Sequence, residues 1–193
     1  MSDAIHKFTK TVPHWRPRVT PVELDEATEE QLDALQVTPS NTKVSEYVLV
    51  LAHDPQSLKV RSPLFNAIMY NPGGLSRAER ELGAIGASMV NRCIYCAAVH
   101  ASRHVDLEKS DDVTDRIFKD GEAAKLAPRD QAIFDFAVAR AKSPSEATPE
   151  HVQALKAAGL DASEVLDLIL SSSLFGWANR LMHVLGDPVR KTD

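Results

Sequence analysis

Cysteine is nearly absent from this chain, which holds two in 193 residues. A fold stapled by several disulfides is therefore excluded. No apolar run approaches the ~20 residues of a membrane-crossing helix. The opening segment, MSDAIHKFTKTVPHWRPRV, has no apolar core of the kind that marks a signal peptide, so the expected address is the cytoplasm, with no membrane partner. A basic excess is lacking as well. The net charge of −5 argues against a sequence-independent nucleic-acid binder, which needs a cationic face. Strand signals are equally sparse. Tyr47–Leu51 is the one run that could be read so, and its flanks favour helix. In a reducing compartment a lone cysteine pair is more often catalytic or metal-binding than structural.

What is present is a regular series of helix signals. Residues 1–40 read as an extended, proline-bearing arm with one short helix, and 41–193 as an all-helical domain. The arm is expected to lie on the domain or across a neighbouring subunit. Thr28 and Gln31 can form a capping box for a helix through about Leu35. Ser45 to His53 is the next helix, closed by Asp54-Pro55, and Ser62-Pro63 opens another to about Tyr70. After the turn Asn71-Pro72-Gly73-Gly74, Ser76 and Glu79 make a second capping box. The helix it opens carries an apolar stripe of Ala78, Leu82, Ile85 and Met89, with small residues at Gly83, Ala84, Gly86, Ala87 and Ser88 that invite close approach by another helix. Asn91 can end this helix and cap a second from about Arg92 to Val105. Further helices are expected at about 111–120, 129–141, 149–158 and 162–185. The expected fold class is all-α, a compact helical bundle behind an extended N-terminal arm.

Both cysteines fall in one stretch of chemistry. Cys96 follows Cys93 by three residues, His100 follows Cys96 by four, and Glu81 precedes Cys93 by twelve. On a helix each residue advances ~100°, which puts Cys93, Cys96 and His100 within a ~60° sector. A disulfide can close there, and the positive end of the helix dipole favours thiolate. His100 can serve as the base that raises the thiolate fraction. Glu81, at the edge of the apolar stripe, is expected to be partly buried with a raised pKa, and so to exchange protons with the imidazole. The natural reaction is peroxide reduction, passing through a sulfenic acid to a disulfide that an external reductant reopens. It needs no haem, flavin or metal. Two other readings stay open: packed apolar thiols, or a zinc site on Cys93, Cys96 and His100 lacking a clear fourth ligand. His104, one turn further along, reads as exposed. Asn179 and His183 read as packing residues, and Leu174, Phe175, Trp177 and Leu181 as core or subunit interface.

The spacing Glu81-x11-Cys93-x2-Cys96-x3-His100 resembles the signature of the alkylhydroperoxidase D and carboxymuconolactone decarboxylase superfamily. The flanking Gly74–Leu82 segment is similar to its peroxidase-related branch. The resemblance implies the all-α bundle of the alkylhydroperoxidase D type, with Cys96 attacking the peroxide, Cys93 resolving, and His100 with Glu81 as a proton relay. It implies a hydroperoxide substrate, preferably alkyl, no cofactor and no metal. It further implies a thiol or dithiol reductant of protein or lipoyl type, and a homo-oligomer, often a trimer or hexamer. Tyr95 stands where such enzymes can carry a histidine. A protein-disulfide reductase or redox relay, and a non-catalytic helical binding or assembly module, are the alternatives.

Overall fold

Nine helices follow a short strand, and a second strand closes the chain, in a computed structural model that describes residues 3–35, 39 and 43–190. In order they are β1 (His14–Pro17), α1 (Glu29–Ala34), α2 (Glu46–Leu51), α3 (Pro55–Tyr70), α4 (Arg77–Val90), α5 (Ile94–Glu108), α6 (Asp112–Asp120), α7 (Pro128–Ala141), α8 (Pro149–Ala157), α9 (Ala162–Leu185) and β2 (Gly186–Val189). The fold is all-α with one small ribbon.

Helix α4 is the hub, packed by α5, α7 and α9. Its small residues explain why. A Cβ at Gly86 would stand 2.9 Å from the Ala137 Cβ of α7, and one at Gly83 would stand 2.8 Å from Leu168 Cδ1 of α9. The backbones therefore approach more closely than side chains allow elsewhere. Leu82, Ile85, Phe134, Ala137 and Leu168 form the heart of the resulting core, each fully buried. Both expected capping boxes are formed, Thr28 with Gln31 and Ser76 with Glu79.

Three sequence expectations are corrected. Helix α3 begins at Pro55, not Ser62, because the Asp54 side chain caps it by accepting from the Ser57 N–H, 3.1 Å away. Pro63 then sits inside the helix, at the cost of one backbone bond. Asn91 ends α4, but the cap of α5 is Cys93, since Arg92 turns into the left-handed region at φ 53°. The arm also contributes a strand. β1 pairs antiparallel with β2, Trp15 opposite Pro188, a partnership no local pattern reveals. Trp15 is buried edge-on against Tyr47, and Lys10 reaches Asp111 at 2.9 Å, so the described arm lies on its own domain.

Candidate active site

The turn between α4 and α5 brings the two sulfurs together. Cys93, at the N-cap of α5, and Cys96, in its first turn, are free thiols with Sγ atoms 2.9 Å apart. Both are almost fully buried. Their protons are not shared equally. The Cys93 thiol is held below its usual range, first by hydrogen bonding from Cys96, against the opposing effect of burial, and further by the Cys96 backbone N–H and Asn179. Cys96 is pushed well up, first by its bond to Cys93 and then by burial, with Asn179 working against both. The pair titrates as a unit, its first proton lost more readily than that of an ordinary thiol and its second held more firmly.

One turn beyond Cys96, His100 is buried and pairs through Nδ1 with a carboxylate oxygen of Glu81. Arg77, one turn before Glu81 on α4, pairs with the other oxygen. The carboxyl is not partly exposed with a raised pKa, as its place in the sequence suggested; it is completely buried and its pKa is lowered. Burial pushes it up, but its pairing with His100, followed by the charge of Arg77, pushes it further down. His100 moves down too, chiefly through burial, with Glu81 opposing. A neutral imidazole donating Nδ1–H to an ionised carboxylate satisfies both directions and leaves Nε2 as the basic nitrogen. The Phe175 ring packs edge-on against the imidazole, centroids 4.0 Å apart.

The sulfurs face different spaces. Cys96 and His100 both line a cavity of about 340 Å³, walled by Val48, Phe65, Val99 and Met182 and reached by Val12 of the arm. Cys93 lines a smaller one of about 170 Å³, roofed by Ile5, His6 and Trp15 of the arm and by β2. Tyr95 borders both.

All four residues singled out from the sequence thus converge. Asn179, read as packing, belongs with them. It is fully buried, receives a bond from Asn91 Nδ2 at 3.2 Å, donates to Ser88 Oγ at 3.2 Å, and lowers the pKa of both thiols. An isolated amide in the apolar run Leu174–Met182 was the available signal. His183 lines the smaller cavity with Cys93, its Nε2 2.7 Å from the Asn91 carbonyl. His104 is buried rather than exposed. Among the described residues no three His, Cys, Asp or Glu side chains are grouped to hold a metal ion, and no helix is long and apolar enough to cross a membrane.

The carboxymuconolactone decarboxylase family model matches residues 55–112. No curated protein matches the sequence. Among solved structures, an uncharacterized peroxidase-related protein with an alkylhydroperoxidase D core, from Ralstonia eutropha JMP134, is 27% identical. It aligns over 93% of this chain and 94% of its own with a TM-score of 0.77. A second peroxidase-related protein, from Silicibacter sp. TM1040, is 22% identical over 70% of this chain and 71% of its own, with a TM-score of 0.63. The debrominase Bmp8 shares the fold at 16% identity, over 86% of this chain and 89% of its own, with a TM-score of 0.71. The family match runs from the first residue of α3 into α6, the stretch that supplies Glu81, both cysteines and His100, and the Ralstonia likeness extends over almost the whole of both chains. The chain is thus similar to the carboxymuconolactone decarboxylase family over residues 55–112, and to a structure with an alkylhydroperoxidase D core over almost its whole length.

Proposed function

We propose that the protein reduces organic hydroperoxides with a Cys93/Cys96 dithiol, Cys96 attacking and Cys93 resolving. The observation that carries this reading is that Cys96 shares its cavity with His100, while Cys93 stands 2.9 Å behind it and opens elsewhere. A hydroperoxide in the larger cavity meets the sulfur and the base together. His100 Nε2 takes the Cys96 proton, and the thiolate attacks the terminal peroxide oxygen. The O–O bond breaks, the alkoxide leaves and takes the proton back from His100, and Cys96 becomes a sulfenic acid. The Cys93 thiolate then attacks the Cys96 sulfur. The S–O bond breaks, the hydroxide leaves and takes a proton from solvent to become water, and the sulfurs close to the ~2.05 Å of a disulfide. A thiol or dithiol reductant completes the cycle by exchange. Glu81 and Arg77 keep the imidazole in the tautomer that presents Nε2. The exposed side chains Leu166, Leu170, Trp177 and Val184 fall within about 40° of one meridian of α9, which suits a contact between copies of the chain.

The test is intact mass with thiol titration after one equivalent of cumene hydroperoxide. Both thiols should be lost, with a mass drop of about 2 Da. Cys96→Ser should be inert, and Cys93→Ser should consume about one equivalent and stall as the sulfenic acid. Untouched thiols in the wild type would remove the peroxidase reading. Full activity in Cys96→Ser would reverse the roles of the two cysteines.

A further inference from the structure

The larger cavity contains two hydrogen-bond donors that the dithiol chemistry does not use. Arg61, on α3, lines it together with Cys96 and His100. Among the described residues Arg61 has no ion-pair partner, and its buried Nε has no hydrogen-bond acceptor. Its guanidinium lies over the Phe65 ring, 4.4 Å from the centroid, and beside the Tyr47 ring at 5.8 Å. Tyr47, on α2, is itself nine-tenths buried, and its hydroxyl also lacks a partner. The guanidinium and the phenol are neighbours that influence each other's protonation, and the hydroxyl stands outside hydrogen-bond geometry. Burial pushes the phenol pKa upward, so Tyr47 keeps its proton and stays a donor.

A guanidinium taken out of water without a counter-charge is costly, and contact with aromatic faces offsets only part of that cost. A partly buried guanidinium whose buried Nε lacks an acceptor, beside a buried phenol that also lacks one, calls for an anionic, acceptor-only group on this cavity wall. A carboxylate fits best, since it is planar and matches the guanidinium fork while a second oxygen takes the phenol proton. Val48, Phe65, Val99 and Met182 give that wall an apolar stretch, and Ser45, Tyr95 and Ser102 add uncharged polar groups. Charged groups other than Arg61 are Arg103 and the exposed Asp106.

Resting on the peroxidase reading above, we infer that the preferred substrates are hydroperoxides of carboxylic acids. Arg61 and Tyr47 hold the carboxylate, the apolar stretch takes the hydrocarbon, and the peroxide group reaches Cys96. A neutral hydroperoxide satisfies neither donor and binds less well. An alternative in which Arg61 and Tyr47 polarise the peroxide itself makes a different prediction, because both substrate types would then depend on them equally.

Matched pairs decide the matter. The substrates are 4-(2-hydroperoxypropan-2-yl)benzoate and a hydroperoxy-octadecadienoate, each beside its methyl ester. The readout is the acid-to-ester ratio of second-order rate constants for thiol oxidation. The wild type should favour at least one acid by about 10- to 100-fold, as expected for a charge-assisted bidentate contact. Arg61→Gln should bring that ratio close to one. Tyr47→Phe, which preserves the packing, should lower it several-fold. Ratios near one for both wild-type pairs overturn the inference while leaving the peroxidase intact, as does an equal loss for acid and ester in Arg61→Gln. Calorimetric binding of the product alcohols, acid against ester, separates the two readings. Inert thiols with Arg61-dependent binding of the acid would retain the carboxylate site and remove the peroxidase.

Discussion

Glu81→Gln tests the relay most sharply, because it removes a charge from a completely buried position without changing its shape. Two partners respond. Arg77 loses its counter-ion, and breaking one side of a buried ion pair costs about 3–5 kcal/mol. The Arg77 side chain is 20% exposed and can turn toward water, so the expected loss of stability is smaller, about 2–3 kcal/mol. His100 loses the group that fixes its tautomer, since an amide can either accept from Nδ1–H or donate to a bare Nδ1. A well-placed base is worth about 10²- to 10⁴-fold, and losing its orientation alone should slow thiol oxidation about 10- to 100-fold. The direction of the pH shift discriminates most. Glu81 raises the His100 pKa against the larger effect of burial, so its neutralisation lets that pKa fall further. The acid limb of the rate profile should therefore move to lower pH even as the plateau drops. Stopped-flow oxidation by cumene hydroperoxide between about pH 4.5 and 8 reads the limb, and urea unfolding reads the stability. An acid limb that stays put or moves up would refute the pairing of an ionised Glu81 with a neutral His100.

Other expectations follow from the same packing. Asn179→Ala removes a group that favours the anion on both sulfurs, so the pH midpoint of iodoacetamide alkylation should rise. Ser88 and Asn91 also lose a partner, at about 1–3 kcal/mol in urea unfolding. Gly86→Val forces a side chain into the 2.9 Å approach between α4 and Ala137, and should cost about 2–3 kcal/mol without changing the far-ultraviolet helix signal. Wild-type stability should fall on acidification in two stages. His100, depressed in the fold, makes the unfolded chain bind more protons below its ordinary value of 6.5, and Glu81 does the same below 4.5, so both slopes have one sign. A stability curve flat from pH 7 to 4 would contradict both directions.

How much of this was legible in the sequence depended on how local the cause is. Helix starts were readable where a reciprocal capping box spans three residues, as with Thr28 and Gln31 or Ser76 and Glu79. The start of α3 was misplaced because Asp54-Pro55 and Ser62-Pro63 carry the same signal, and only the packed structure selects the first. The β1–β2 pairing joins residues about 170 apart, which no window of sequence contains. In the site, helical spacing was enough to align Cys93, Cys96 and His100. The state of Glu81 was not readable, because burial alone predicts the wrong sign and the answer rests on what is buried beside it. Arg77 offered a clue, standing four residues before Glu81 on the same helix face. Arg61 and Tyr47 offered none, since they reach the cavity from α3 and α2.

The unequal protonation of the sulfurs also bears on how the disulfide is reopened. In thiol–disulfide exchange the sulfur of lower pKa leaves faster. The Cys96 backbone N–H and Asn179 both favour the anion on Cys93 as it departs. Cys96 gains only Asn179 and a weaker backbone contact, against full burial. A reductant should therefore attack Cys96 and expel Cys93, entering by the same cavity of about 340 Å³ that admits the peroxide and not by the smaller space beneath the arm. The oxidised protein, treated with a monothiol and quenched with iodoacetamide at early times, should carry the mixed disulfide on Cys96 and the alkyl group on Cys93. Fragmentation of the peptide spanning Cys93 to Arg103 distinguishes the two positions. The reverse labelling would mean that access beneath the arm outweighs leaving-group stability, and that the smaller cavity is where the reductant docks.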